Sequence, residues 1–409
     1  MTTGTLPAMT VTDESATATS EEALVRARCD ELRTAFPPET TSRTDFLGAA
    51  FDRGLAWVHF PEGDGGLGVS PKLQKVVNEE LGSAGPAFAA ARNLIGYGMG
   101  GPTILMHGTE EQRRRWLRPL FTCEEIWCQL FSEPGAGSDV AGLACRAERD
   151  GDEWVVNGQK VWTTLAHEAR WGMLVARTDP SQPKHKGLTY FVVDMTAPGV
   201  DVRPLRQMTG EAEFNEVYLT DVRIPDTHRL DEVGEGWRVV LTTLMNERVA
   251  IGGNVAAREG GAIGEALKVW RRSEHHDPAH RDELMRLWIE AEVLRLTNIR
   301  ASQLRSRGTP GPEGSVGKIA MADLNKRVMD FTLDLMGAEG MLYGSYEMVR
   351  PSEANMFPYP QKSFLRVRAN SIEGGTSEVM KNILGERVLG LPGEPRTDKG
   401  VPWVDVPRN

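Results

Sequence analysis

The sequence predicts an α+β multidomain chain in which a central β domain separates two helical regions. Three observations lead there. With 409 residues, the chain exceeds the roughly 250 to 300 residues over which a single hydrophobic core keeps growing, so two or three domains are expected. Helix-period apolar patterning runs over residues 21–125 and returns from Gly236 to Leu389. Between these regions lie short runs rich in Val, Tyr, Phe, Trp and Thr, bounded by turn residues. Strands do not alternate with helices and no internal repeat is visible, which argues against a doubly wound parallel sheet.

Taken in chain order, residues 1–20 ("MTTGTLPAMTVTDESATATS") are small and polar and are expected to be a disordered tail. The first helical region, 21–125, is interrupted by "HFPEGDGGLGVSP" at 59–71, where Gly and Pro forbid continuation of a helix. The β domain, 126–235, contains "EWVVNGQKVWTT", whose Asn157-Gly158 pair reads as a hairpin turn because both positions tolerate positive φ. Further strands are expected at "WGMLVART", "LTYFVVDM" and "NEVYLTDVRIP". Residues 236–392 form the second helical region, and 393–409 a C-terminal tail.

Composition narrows the function classes. The 47 basic and 57 acidic side chains give a formal charge of -10, which argues against a general nucleic-acid or membrane-surface binder. The four cysteines, Cys29, Cys123, Cys128 and Cys145, have no CxxC spacing, and neither a signal peptide nor a long apolar run is evident. A reduced, cytoplasmic enzyme is the simplest expectation.

Two motifs carry less than they promise. "GYGMGG" satisfies G-x-G-x-x-G at Gly96, Gly98 and Gly101, but it follows a helical segment rather than a strand, so a tight helix-to-helix connection is expected instead of a dinucleotide site. "EHHDPAH" places His276 and His280 four apart, but Pro278 interrupts the helix that would align them on a metal, and a solvated loop is expected. No metal site is expected elsewhere.

The informative blocks lie further along. "WCQLFSEPGAGSDVAGL", 127–143, offers the hydroxyls of Ser132 and Ser138 and the bare backbone of Gly135 and Gly137 on a loop held out of regular structure. About thirty residues on, "KVWTTLA" supplies Trp162 as a flat wall and Thr164 as a hydroxyl, which suits a stacked planar cofactor. In "RANSIEGGTSEVMKNILGERVLGLP", 368–392, two glycines and a threonine stand at a helix start, where free N–H groups attract an anion. Glu373 stands just before them and Glu378 just inside.

Together these blocks resemble the acyl-CoA dehydrogenases. The similarity takes in "PEGDGGLG", "HGTEEQRRRWLRPL", "FSEPGAGSD", "GQKVWTT", "VYLTDVRIP", "GEGWRVV" and "GGTSEVMKNILGERVLGLP", nearly the whole chain after its N-terminal tail. The resemblance implies a β-barrel-like central domain, a C-terminal four-helix bundle, bound FAD and a homo-oligomer, usually a tetramer. It implies Gln129, Phe131 and Ser132 against the isoalloxazine, Trp162 and Thr164 as the second wall, and Thr376 and Glu378 at the FAD phosphates and ribityl. Gly137 belongs to the same loop, and Ser138 is implied near the CoA portion of the thioester. Two segments depart from the family pattern. Arg271 in "VWRRSEHHDPAHRDELMRLW" is the nearest analogue of an arginine that reaches FAD in a neighbouring subunit, and Asp334 stands where a glutamine is usual.

The implied chemistry is α,β-dehydrogenation of an acyl-CoA, with a glutamate taking the α-proton while hydride leaves the β-carbon for the flavin. Electron-transfer flavoprotein is the implied acceptor. An oxidase or monooxygenase on the same fold, or a non-catalytic subunit of a heteromer, are the alternatives. Many members place the base directly before the G-T pair, a position held here by Gly374, and Glu373 falls one residue too early. Others place it on the helix that opens the C-terminal domain, where "LMNERVAIGG" supplies Glu247 and Arg248. At helical spacing Leu241, Leu244, Ile251 and Val255 form an apolar stripe that includes Arg248 and has Glu247 at its edge. Glu247 is therefore expected to be the base and Glu373 the alternative. The Gly374 N–H is the expected donor to the thioester carbonyl, with Arg248 and Gly375 on the substrate side.

Overall fold

The computed structural model describes residues 14–82, 92–252, 257–274, 276–306, 313–352, 359–396 and 398–407. Its helices, in chain order, are α1 (Glu14–Ala35), α2 (Arg43–Asp52), α3 (Gln74–Gly82), α4 (Gly101–His107), α5 (Glu110–Phe121), α6 (Gly236–Gly252), α7 (Ala262–Arg272), α8 (Pro278–Ser306), α9 (Glu313–Met336), α10 (Pro360–Arg366) and α11 (Ser377–Ile383). The strands are β1 (Trp127–Leu130), β2 (Arg146–Asp150), β3 (Glu153–Thr164), β4 (Trp171–Arg177), β5 (Leu188–Asp194), β6 (Val200–Pro204), β7 (Phe214–Pro225) and β8 (Arg229–Leu230). The chain divides into two compact units, one of Met1–Ala90 with Glu110–Glu124 and one of Ala91–Thr109 with Glu125–Asn409.

The first unit is helical. Ser42 opens α2 by accepting the Asp45 N–H at 3.2 Å, an N-cap contact worth about 1 kcal/mol. The aromatic centre pairs Trp57 with Phe60 at 4.8 Å, nearly parallel, with Phe121 of α5 tilted against Trp57 at 5.4 Å. Turn-rich residues 59–71 wrap this centre, and Gly66 has to be glycine because a Cβ there would lie 2.1 Å from the Phe60 carbonyl oxygen. The helical reading began at residue 21, but α1 already starts at Glu14; residues 1–13 lie outside the described residues.

The second unit holds an eight-stranded sheet in the order β6-β7-β3-β2-β4-β5-β8, with β1 parallel beside β4. Strands β4 and β5 are almost wholly buried, as their unbroken apolar runs require. Here the expected hairpin at Asn157-Gly158 is corrected. Strand β3 runs straight through that pair, with a register shift between Val156 and Gly158, and the hairpin turn is one step earlier at Gly151-Asp152. Gly158 is instead demanded by close approach, since a Cβ there would sit 2.7 Å from the Cys145 side chain. Asn157 exchanges 3.0 Å hydrogen bonds with Asp221 across the bulge.

Helices α7, α8 and α9 share one core, in which Ile263, Leu267, Leu284, Leu287, Val328 and Phe331 are buried together. The "GYGMGG" run is itself helical, a π-helical turn over Gly96–Gly100 that passes directly into α4. The expected loop through "EHHDPAH" is corrected at its end: Pro278 opens α8, a position where its missing N–H costs nothing, so His280 lies on a helix. His276 stacks on Trp270 at 4.4 Å and His280 turns its edge to Phe331. Among the described residues no helix is long and apolar enough to cross a membrane, and no cluster of His, Cys, Asp and Glu is placed to hold a metal.

Candidate functional site

Strand β1 delivers Gln129, Phe131 and Ser132 to the start of the loop that the sequence singled out. Phe131 is buried edge-on against Tyr190, with ring centres 5.8 Å apart. The loop then turns tightly, with Glu133 and Ala136 exchanging backbone hydrogen bonds at 3.0 Å around Pro134-Gly135. Gly137 and Ser138 follow on the surface.

What fixes this loop is a buried ion pair. The Lys160 ammonium of β3 is fully enclosed and donates to the Glu133 carboxylate at 2.8 Å and to the carbonyls of Phe131 and Val175 at 3.1 and 2.9 Å. Those three bonds use its full donor complement. The Glu133 carboxylate in turn accepts the N–H groups of Ala144 and Cys145 at 2.7 and 2.9 Å. One pair thus ties the beginning of the loop, its end, and two strands. Sequence reasoning passed over both residues; the available signal was a lysine at an inward position of an otherwise apolar strand face.

The same strand positions the indole. A register shift between Lys160 and Thr163 lets both of these face inward, although an unbroken strand would turn residues three apart to opposite faces. Trp162 is carried outward at a φ of 60°, a left-handed conformation rare for a bulky residue, and its ring stays 58% exposed. Because the Val161 N–H donates to the Ser132 carbonyl at 2.9 Å, Trp162 stands next to the start of that loop. An outward indole held by backbone strain beside partly exposed Thr164 is a surface suited to a planar ring. Replacing Trp162 by Ala is expected to remove stacking worth about 0.5 to 1.5 kcal/mol, roughly a two- to tenfold weaker hold on flavin. Flavin retained after dialysis measures this, and retention equal to wild type would make Trp162 an ordinary surface residue.

A second cluster surrounds the C-terminal glycines. Gly374 and Gly375 have φ of 60° and 94°, two successive left-handed residues that only glycine adopts without strain. Thr376 caps α11, accepting the Val379 N–H at 3.2 Å, and Glu378 lies exposed in its first turn. Glu373 is engaged: Arg366 donates to its two oxygens at 3.1 and 2.9 Å, and the Asn370 amide adds 2.8 Å. Arg366 also faces Glu213 at 3.4 Å and lies over the ring of Phe214, which turns its edge to Trp162 at 5.8 Å. Burial pushes the Glu213 carboxyl above its ordinary value, against the pull of Arg366. Burial works against the Arg366 charge too, yet its hydrogen bonds with Glu373 keep its pKa raised. Helix α9 pins the turn from the other side: Lys318 donates to the Asn370 carbonyl, and Lys326 to Ser371 at 2.7 Å.

Glu247 approaches from α6. A Cβ on Gly374 would lie 3.9 Å from its Oε1 and 3.9 Å from Lys318 Cε. One turn earlier, the buried Thr243 hydroxyl meets Thr103 at 3.0 Å and Tyr190 at 3.2 Å, and Thr242 meets His107 at 2.9 Å. The face expected from the apolar stripe is corrected: Val239, Val240 and Thr243 are buried, whereas Leu241 is 45% exposed. Val255 and the side chains of Arg248 and Ile251 lie outside the described residues. Arg271 stands apart from both clusters in its contacts, pairing with Glu259 at 2.9 Å.

Models of one family match the chain in three consecutive pieces: the acyl-CoA dehydrogenase N-terminal domain over residues 12–124, the middle domain over 128–222 and the C-terminal domain over 234–389. The chain belongs to the acyl-CoA dehydrogenase family. Enzymes of this family are FAD-dependent oxidoreductases. Acyl-CoA dehydrogenase FadE34 of Mycobacterium tuberculosis is 41% identical over 84% of this chain but only 46% of its own length, so the chain spans about half of that relative. Acyl-CoA dehydrogenase IpdE1 of the same organism is 38% identical over 83% of this chain and 86% of its own. Among solved structures, the ChsE4-ChsE5 complex from Mycobacterium tuberculosis matches with a TM-score of 0.68 at 26% identity, covering 94% of this chain and 100% of the matched one.

Proposed function

We propose that this acyl-CoA dehydrogenase removes hydrogen from the α and β carbons of an acyl-CoA thioester, with Glu247 as the base at the α-carbon. The observation that carries the assignment is the approach of Glu247 to the left-handed Gly374 turn: its Oε1 lies 3.9 Å from where a Cβ on Gly374 would stand, while Glu373 is turned into its contacts with Arg366 and Asn370. Bound FAD supplies the hydride acceptor. The chain's own residues do the rest: Trp162 and Thr164 hold one side of the ring, and Gln129, Phe131 and Ser132 the other. Ser138 takes the CoA side of the thioester with Arg248 and Gly375 nearby, and the Gly374 N–H donates to the thioester carbonyl, where negative charge develops. Thr376, Glu378 and Arg271 are assigned to the phosphate and adenine end.

An exposed apolar stripe on α8, formed by Met285, Ile289, Val293 and Leu296, supports assembly with further subunits, homomeric or heteromeric. Electron-transfer flavoprotein is the proposed acceptor. The test is anaerobic mixing of the purified yellow protein with a panel of straight-chain, branched and ring-bearing acyl-CoA thioesters. Flavin bleaching by at least one is expected, with reoxidation faster by electron-transfer flavoprotein than by oxygen. The reverse order would make the chain an oxidase. No bleaching by any thioester, with flavin retained, would make it the non-catalytic member of a heteromer.

A further inference from the structure

Residues 398–407 do not trail away from the domain. Trp403 donates its backbone N–H to the Gln182 carbonyl at 2.9 Å, and Val404 to Pro180 at 3.0 Å. Lys184 reaches both Asp398 at 2.5 Å and Asp139 at 2.8 Å. The contacts converge on a short helical turn, Val140–Gly142, directly behind Ser138. Three successive carbonyls there are satisfied by two side chains. Arg177 donates to Ala141 at 2.7 Å and to Leu143 at 3.1 Å, and the indole N–H of Trp403 donates to Gly142 at 3.1 Å. The Arg177 guanidinium lies 4.2 Å from the centre of the Trp403 ring and is almost fully buried, so the indole also covers the cation that grips the turn.

We infer that this C-terminal segment is a strap that positions the substrate loop, with Trp403 as its positioning residue acting together with Arg177 of β4. The Glu133–Lys160 pair secures the loop at residues 131, 133, 144 and 145, but none of its bonds reaches the stretch that presents Ser138. There Arg177 of β4 and Lys184 grip the stretch, and the strap closes over both, adding the Trp403 bond to Gly142 and the Asp398 side of Lys184. Asp139 and the carbonyls of residues 141 to 143 are all gripped, and Ser138 is the next residue toward the exposed tip. A hydroxyl that meets a ligand needs a backbone that does not wander, because misplacement by about 1 Å can cost a hundredfold in rate. The link from strap to substrate rests on the assignment of Ser138 to the acyl-CoA; the link from strap to loop does not.

The experiment separates the two. In the FAD-loaded full chain, Trp403→Ala is expected to speed amide hydrogen exchange at residues 139–143 at least tenfold, with exchange in the α7–α9 core unchanged. It should also raise KM for acyl-CoA about three- to tenfold, the worth of one hydrogen bond, while kcat falls less. Trp403→Phe keeps a ring over Arg177 but loses the N–H donor, and should fall between. A chain terminated after Arg396 should reproduce the alanine variant and guards against an artefact of the cavity left by the indole. Exchange at 139–143 unchanged in both the alanine and the truncated protein would overturn the strap. Faster exchange with an unmoved KM would uphold the strap and withdraw Ser138 from the substrate site.

Discussion

Replacing Glu247 by glutamine is expected to slow acyl-CoA-driven flavin bleaching by roughly a hundredfold to ten-thousandfold, the span of a lost general base, with FAD content unchanged. Glutamine keeps the size and the hydrogen-bonding reach of the side chain but cannot take the proton. The paired control is Glu373→Gln. Its carboxylate is occupied by a two-point contact with Arg366, so the amide should leave most of the bleaching in place. It should lower thermal stability instead, by about 1 to 3 kcal/mol, because Arg366 keeps its buried charge with a weaker partner. Stopped-flow absorbance and a melting curve on both proteins decide the matter. Loss of bleaching in the Glu373 variant with activity in the Glu247 variant would exchange their roles, and two active variants would refute proton abstraction by either.

Lys160→Met should be the most damaging single change to the fold. It strands the Glu133 carboxylate and removes the partner of two buried carbonyls, and breaking a buried ion pair from one side costs about 3 to 5 kcal/mol. The melting temperature should fall and flavin should be released at lower denaturant, since the loop loses the tie between its two ends. Adding Glu133→Gln to Lys160→Met should recover part of the loss, because the orphaned charge is then gone. A single-mutant cost below about 1 kcal/mol would mean that the pair is dispensable, as exposed pairs are.

How much of this was legible in the sequence depends on the range of the interaction. That Trp162 and Thr164 lie together on a strand could be read because both stand in one short run beside a β pattern. The order of helices, then strands, then helices along the chain followed from periodicity, which is a local property. Lys160 and Glu133 could not be paired from the sequence, because they stand 27 residues apart and meet only once β3 and the loop are folded. Asn157-Gly158 misled because the pair that favours a tight turn also suits a bulge with a close backbone neighbour, and only the partner strand decides between them. On α6, Leu241 suggested the wrong inner face, since the buried side is formed by Val239 and Val240 together with Thr243, whose hydroxyl meets Thr103 and Tyr190. Trp403 was passed over as tail because "GVPWVDVP" has no period to read; a tryptophan in such a stretch was the one available hint.

The sequence separation of 261 between Gly142 and Trp403 also sets a clock. A ribosome that adds about 5 to 20 residues per second needs roughly 13 to 52 seconds to travel from one to the other. The β domain is complete long before that interval ends, and so are Lys160 and Arg177. During synthesis the Ser138 loop is therefore held at its ends and by Arg177 and Lys184, and the Trp403 bond to Gly142 and the Asp398 side of Lys184 are added only after the whole helical region has emerged.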